Sequence, residues 1–202
     1  KLTNLNKIYW PKEKLTKGDL INYYKSIYKY ILPYLKNKPL SLNRHPNGIN
    51  KPSFFQKDIN TDQIPTWAKT TKVLSESTNK EIDYLLSNDE ASLLYMANLG
   101  CIEINPWLST FKKPENPDFM VIDLDPDKNP FSEIVALALV VKEVFDDLGI
   151  TSFVKTSGSS GIHIYVYIAA AYHYDFIKDF ARFIAQKVHE LNHSFQPGHM
   201  HA

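Results

Sequence analysis

The run Phe119-Met120-Val121-Ile122-Asp123-Leu124-Asp125 ends in two carboxylates two residues apart. Side chains on a strand alternate between faces, so Asp123 and Asp125 are expected on the same side, where they can share a cation. Two hard oxygen ligands, with room left for water and phosphate oxygens, suit Mg²⁺ or Mn²⁺ and the two-metal arrangement of phosphoryl and nucleotidyl transfer. An Asp-x-Asp-Pro segment can equally end a strand and begin a turn, so the pair alone leaves both readings open. What favours chemistry is the abrupt appearance of charge after Val121 and Ile122, at a strand end, where ligands of open sheets tend to bind.

A second constellation is Ser157-Gly158-Ser159-Ser160-Gly161-Ile162-His163. Two glycines and three hydroxyls in five residues let successive backbone N–H groups turn toward an anion, with the hydroxyls as further donors. His163 alternates with Tyr165 and Tyr167, while Ile162, Ile164, Val166 and Ile168 take the opposite side, so the imidazole shares a face with polar groups. A plain hairpin turn and a satisfied structural histidine are the competing readings. A third set is basic and aromatic: Lys7 and Lys17 flank Tyr9-Trp10-Pro11, and Phe54-Phe55 precede Lys57. Exposed aromatic rings beside lysines make a base-stacking platform with phosphate contacts, although adjacent Phe residues are as readily core. Cys101, ahead of Ile102-Glu103-Ile104-Asn105, reads as a small core residue rather than a nucleophile. His173, His189, His193, His199 and His201 lack zinc-ligand spacing and read as surface residues.

The elements that must position these groups follow from periodicity. Thr16 is a plausible N-cap for a helix carrying Leu20, Ile21, Tyr24, Ile27, Tyr28 and Ile31 at helical spacing, with Pro33 as its stop. Leu40 to Arg44 and Ser53 to Lys57 flank His45-Pro46-Asn47-Gly48 and predict a hairpin. Residues 88–99 read as a helix capped by Asn88 and closed by Gly100. Phe119 to Asp125 reads as a buried strand, Pro130 to Leu148 as an amphipathic helix ended by Gly149, Thr151 to Thr156 and Ile162 to Ile168 as strands, and Tyr172 to about Leu191 as a last helix. The order β-α-β-β-α is the split βαβ unit of ferredoxin-like folds with its sixth element expected to be missing.

The whole chain of 202 residues carries a net charge of only +1, yet residues 1–60 hold twelve Lys/Arg against three Asp/Glu and the remainder eleven against nineteen. A basic N-terminal third suits an anionic partner such as a nucleic-acid backbone, and an acidic body can place carboxylates at a divalent metal. One cysteine among 202 residues excludes an internal disulfide, and 44% hydrophobic content excludes disordered and collagen-like classes. Neither a membrane span nor an apolar signal core is expected, and the cytoplasm is the default compartment.

With these motifs in place, the chain resembles the polymerase (primase-like) domain of bacterial DNA ligase D, in the archaeo-eukaryotic primase superfamily. The resemblance runs from about Leu2 to Leu191. It is carried by Asn6-Lys7-Ile8-Tyr9-Trp10-Pro11, Thr16-Lys17-Gly18-Asp19-Leu20 with Tyr23-Tyr24, and Arg44-His45-Pro46-Asn47-Gly48 leading to Phe54-Phe55-Gln56-Lys57. It continues through Ile102-Glu103-Ile104-Asn105-Pro106-Trp107, Phe119 to Pro126 and Thr156 to His163. It implies an α+β fold, with a primase-like (RRM/ferredoxin-like) core and an N-terminal α/β subdomain. Residues 1–195 would form one domain, of which 1–60 bind DNA ends and 100–192 bind metal and nucleotide, followed by a tail at 196–202.

The resemblance further implies that Asp123 and Asp125 are catalytic and hold the metals, Mn²⁺ or Mg²⁺. Ser157, Gly161 and His163 would hold the incoming triphosphate, with Arg44 in a basic stretch near the nucleotide. Lys7 and Lys17 match lysines that grip the 5′-phosphate of a double-stranded DNA break, and Phe54 and Phe55 match aromatics that stack against the template. The implied reaction is templated transfer of nucleotides, preferably ribonucleotides, to a 3′-hydroxyl in non-homologous end joining. Bacterial Ku and a fused or separate ligase domain are the implied partners, on the nucleoid. Three positions depart from the family pattern. Ser160 stands where a loop lysine is usual, Asn105 stands where histidine is frequent, and the strand bearing a third catalytic aspartate is expected to be absent. The last departure makes weak or absent catalysis one expectation, and a non-catalytic module for 5′-phosphate DNA ends the alternative function.

Overall fold

Each half of the chain packs mainly against itself, giving two units, Lys1–Lys112 and Lys113–Ala202, in a computed structural model that describes residues 1–75, 79–126, 128–191 and 200–201, the last two by backbone only. The first unit contains β1 (Ile8–Trp10), β2 (Leu15–Thr16), α1 (Lys17–Leu35), β3 (Leu40–Arg44), β4 (Phe54–Gln56), β5 (Lys69–Ser75), β6 (Lys80–Leu86), α2 (Glu90–Asn98), β7 (Cys101–Pro106) and β8 (Ser109–Thr110). α1 begins where expected, in a capping box: Asp19 N–H donates to Thr16 Oγ1 (3.1 Å) and Thr16 N–H to Asp19 Oδ2 (2.7 Å). It buries Leu20, Ile21 and Tyr24 against a core shared with Leu40, Leu42, Leu93 and Met96. Pro33 does not stop it. Proline removes one N–H and the helix is already in its last turn, so it runs on to Leu35, where Lys36 N–H reaches Leu32 O (3.0 Å).

β3 is the hub of an antiparallel sheet, pairing with β4, β6 and β7, while β6 continues to β5. The expected β3–β4 hairpin is present, with Arg44 opposite Phe54 and Leu42 opposite Gln56. Asn88 is not the cap of α2. Its carboxamide exchanges hydrogen bonds with Asn37 (2.7 and 3.0 Å), which leaves Asp89 to accept from Ser92 N–H (2.8 Å). Gly100 closes the helix at φ +83°, in the left-handed region open to glycine.

The second unit contains β9 (Lys113–Pro117), β10 (Phe119–Leu124), α3 (Phe131–Asp147), β11 (Ser152–Thr156), β12 (Ile162–Tyr167), α4 (Tyr174–Leu191) and β13 (Met200–His201). The sheet order is β11-β12-β10-β13, all antiparallel. One face is apolar: Met120, Ile122 and Leu124 of β10 and Ile162, Ile164 and Val166 of β12 are buried against Ile134, Leu137, Val141 and Phe145 of α3 and Ile177, Ala181, Ile184 and Val188 of α4. Where the sequence suggests that the split unit stops after its second helix, Met200 and His201 add a short sixth element, pairing with Leu124 and Asp123 and satisfying backbone groups that an open edge would leave unpaired. The rest of the tail expected over 196–202 lies outside the described residues. No helix among them is long and apolar enough to cross a membrane.

The core makes one clear energetic demand. Phe145 is fully buried between sheet and helix, whereas Leu139 on the same helix is 58% exposed. Phe145→Ala is expected to destabilise the protein by about 3–5 kcal/mol, and Leu139→Ala by less than about 0.5 kcal/mol, as read by urea denaturation.

Candidate functional site

Burying one face of β10 and β12 forces their alternate residues onto the other, and antiparallel register then aligns those residues in rows. Asp123 lies opposite His163, and His163 opposite Lys155 of β11. His163 Nε2 is 3.3 Å from Asp123 Oδ1, and His163 Nδ1 is 3.2 Å from Lys155 Nζ, which also donates to Thr156 O (3.2 Å). The imidazole and Asp123 are close but lack hydrogen-bond alignment, so Oδ1 is buried with no hydrogen-bond partner. A buried carboxylate oxygen without a donor is costly unless a cation reaches it, and this oxygen suits a hard divalent ion. In the next row, Tyr165 faces the same side; burial foremost, and then the Asp123 charge, pushes its phenol pKa upward.

Asp125 stands one residue beyond β10, at the Ser/Gly loop. A Cβ at Gly161 would collide with Asp125 Oδ1 and stand 2.7 Å from the Leu124 carbonyl oxygen, so only glycine lets the loop approach this end of the strand. The loop closes through Ser157: its N–H donates to Gly161 O (2.9 Å), and its Oγ accepts from Gly161 N–H (2.9 Å) and Ser159 N–H (3.3 Å). Two amides therefore converge, as the sequence suggests, but on the loop's own hydroxyl oxygen. That oxygen is used as an acceptor twice, which leaves the Ser157 hydroxyl proton as a polarised donor for an anion. Ser157, Gly161, His163, Asp123 and Asp125 are all carried by the sheet and its connecting loop. Among the described residues, no group of three or more His, Cys, Asp or Glu side chains is arranged to share one ion.

The other candidate residues belong to the first unit. Lys7 Nζ donates to Pro46 O and Asn47 Oδ1, both at 2.7 Å, beside a cavity of about 620 Å³ lined by Asn4, Leu5, Asn6 and Lys7. Lys17 is only 5% exposed; burial, followed by the charges of Lys7 and Arg44, holds its ammonium pKa below the ordinary lysine value. Arg44 is half-buried and firmly engaged, with Nε donating to Leu99 O (3.0 Å), Nη1 to Gln56 Oε1 (2.7 Å) and its guanidinium 5.2 Å from the Phe54 ring centre. Within the first unit, Arg44 is thus held against Leu99, Gln56 and Phe54. Phe54 and Phe55 are 47% and 63% exposed, so both rings of the pair are open to a ligand.

Two residues escaped the sequence reading. Lys155 lies two residues before the Ser/Gly loop, and its place beside His163 depends on strand register. His45, assigned to a turn, is buried with neither ring nitrogen hydrogen-bonded. Cys101 is fully buried as expected, and burial pushes its thiol pKa up to about 12. His173 and His189 are exposed, as expected; the side chains of His193, His199 and His201 lie outside the described residues.

Chemical and mutational consequences follow for two of these positions. The native protein is expected to resist alkylation of Cys101 at about pH 9, where an ordinary cysteine is largely thiolate, and to react once denatured, as read by mass spectrometry. Because the folded state keeps this proton, its contribution to stability falls as pH rises from about 8.5 toward about 12. Gly161→Ala is expected to cost about 1–3 kcal/mol of stability in urea titration, because the Leu124 carbonyl is backbone and cannot swing aside.

Comparison with known proteins places the chain as a whole. The family model for the LigD primase-polymerase domain matches residues 16–196. The bifunctional non-homologous end joining protein LigD of Bacillus subtilis is 33% identical over 186 residues, 91% of this chain and 29% of that protein. The multifunctional non-homologous end joining protein LigD of Pseudomonas aeruginosa is 30% identical over 182 residues, 90% of this chain and 21% of that protein. The chain therefore spans less than a third of the length of these relatives. Among solved structures, the polymerase domain from Mycobacterium tuberculosis ligase D in complex with DNA aligns with a TM-score of 0.85 at 24% identity, covering 96% of this chain and 70% of that one. This structural likeness is one of fold.

Proposed function

The chain belongs to the LigD primase-polymerase domain family, and on that premise we propose that it binds DNA ends and transfers nucleotides, preferably ribonucleotides, to a 3′-hydroxyl during non-homologous end joining in the bacterial cytoplasm. The observation that carries this reading is the buried, donor-free Oδ1 of Asp123, in a row with His163 and Lys155 beside a loop with converging amides. Asp123 and Asp125 are the residues that would hold the divalent cations, Mn²⁺ or Mg²⁺. Bound there, such ions supply Lewis-acid stabilisation of the pyrophosphate leaving group and make the 3′-hydroxyl a better nucleophile.

The chain's own groups do the rest. Ser157 offers its hydroxyl proton to the triphosphate, and Gly161 keeps the loop close enough to Asp125 for phosphates and carboxylates to meet. His163 orients the nucleotide phosphates from the strand beside Asp123. In the other unit, Lys7 and Lys17 hold the 5′-phosphate, where an anion offsets the burial, and then the repulsion from Lys7 and Arg44, that lower the Lys17 pKa. Phe54 and Phe55 present exposed rings for stacking on the template bases. Arg44, braced against the Phe54 ring, is the cation proposed to lie near the nucleotide. Ku and a ligase domain are the proposed partners at the break.

A primer-template extension assay with a 5′-phosphorylated downstream end and Mn²⁺ tests the reading. Template-dependent addition is expected, falling at least about a hundredfold in Asp123→Ala, the scale of losing one stabiliser of transition-state charge. Lys17→Ala is expected to weaken binding to the 5′-phosphorylated end and to lower the salt-dependence slope by about one. Addition that persists in Asp123→Ala overturns the catalytic assignment. Tight end binding with no addition by the unmodified chain replaces the enzyme reading with that of a binding module.

A further inference from the structure

We propose that Lys155 is a positioning residue: it holds His163 in the tautomer with a bare Nδ1 and a proton on Nε2, facing Asp123. The inference rests on the reading of the Asp123 row as the nucleotide site. A lysine ammonium has three donors and no acceptor. A ring nitrogen 3.2 Å from Lys155 Nζ must therefore present a lone pair, and in a neutral imidazole this places the ring proton on the other nitrogen. That other nitrogen, Nε2, is 3.3 Å from Asp123 Oδ1 but not aligned to hydrogen-bond with it, so the proton lies toward the carboxylate while Oδ1 keeps its lone pairs free.

The arrangement is built by the backbone. Lys155, His163 and Asp123 are direct cross-strand partners on three adjacent strands, so their side chains share one face. The second donor of Lys155 is used by Thr156 O, which fixes the ammonium at the C-terminal end of its own strand. Residues 157–161 contain no Lys or Arg, so Lys155 is the cation that the strand brings up to the Ser/Gly loop. With Nδ1 occupied, the imidazole can meet a phosphate oxygen or the Asp123 carboxylate only through its Nε2–H edge. One lysine thereby decides which edge of the histidine is a donor.

The test uses the 202-residue chain labelled with ¹⁵N, in metal-free buffer at about pH 8, above the ordinary histidine range. Long-range proton–nitrogen correlation reads the two ring nitrogens, and the His163 signals are assigned by their loss in His163→Gln. In the unmodified chain, Nδ1 is expected in the unprotonated range and Nε2 in the protonated range. Lys155→Met is expected to move both toward a tautomeric average, and Lys155→Arg to retain the separation. In the extension assay, Lys155→Met is expected to raise KM for the nucleotide about tenfold more than it alters kcat, the scale of one charge-assisted hydrogen bond, with Lys155→Arg restoring most of the loss. A protonated Nδ1 in the unmodified chain, or ring signals unchanged in Lys155→Met, overturns the assignment. Absence of extension by the unmodified chain overturns the functional reading instead, and the ring signals still decide the role of Lys155.

Discussion

The need to keep Met120, Ile122 and Leu124 dry fixes everything else on the sheet of the second unit. With period-two alternation, Phe119, Val121 and Asp123 have no other face to occupy, and a one-residue slip would drive the Asp123 carboxylate into an apolar core. The same demand acts on Ile162, Ile164 and Val166, so register with β10 leaves His163 opposite Asp123. The chemistry is thus a by-product of core packing: the apolar residues choose the register, and the register chooses the neighbours of the carboxylate.

That dependence explains what could be read in advance. Asp123 and His163 were legible because alternation is local, and so was the capping box of α1, which needs only Thr16 and Asp19 three residues apart. Lys155 was not, because its neighbour is set by β11–β12 pairing across a loop rather than by spacing along one strand. The β5–β6 pair was also missed: Lys69–Ser75 and Lys80–Leu86 mix polar and apolar residues without strict alternation, and most of their side chains are exposed or only partly covered. Asn88 and Asp89 were equally good caps by type, and a distant partner, Asn37, settled the choice. The short strand at Met200–His201 follows a stretch in which nothing local signals a strand.

The first unit shows a different economy. Lys17 and Arg44 are drawn out of water and influence each other and Lys7, yet none of the three is ion-paired among the described residues. The donors of Lys7 and Arg44 go instead to carbonyl and amide oxygens: Lys7 to the Pro46–Asn47 turn, and Arg44 to Leu99 and Gln56. Neutral acceptors hold the cations in place without cancelling their charge, and the field they produce stays available to an anion. The α1 backbone adds rigidity, because Lys17 and Gly18 N–H groups are tied to the carbonyls of Lys7 and Leu5.

β11 lies at the edge of its sheet, with Phe153 and Val154 60% and 70% exposed. Such an edge is a template on which a foreign strand can crystallise, and natural sheets commonly guard it with an inward-leaning lysine. The next residue along this edge is Lys155. The lysine that contacts His163 thus also puts a charge on the open edge, so the setting of the imidazole and the resistance of the sheet to self-association fall on one position.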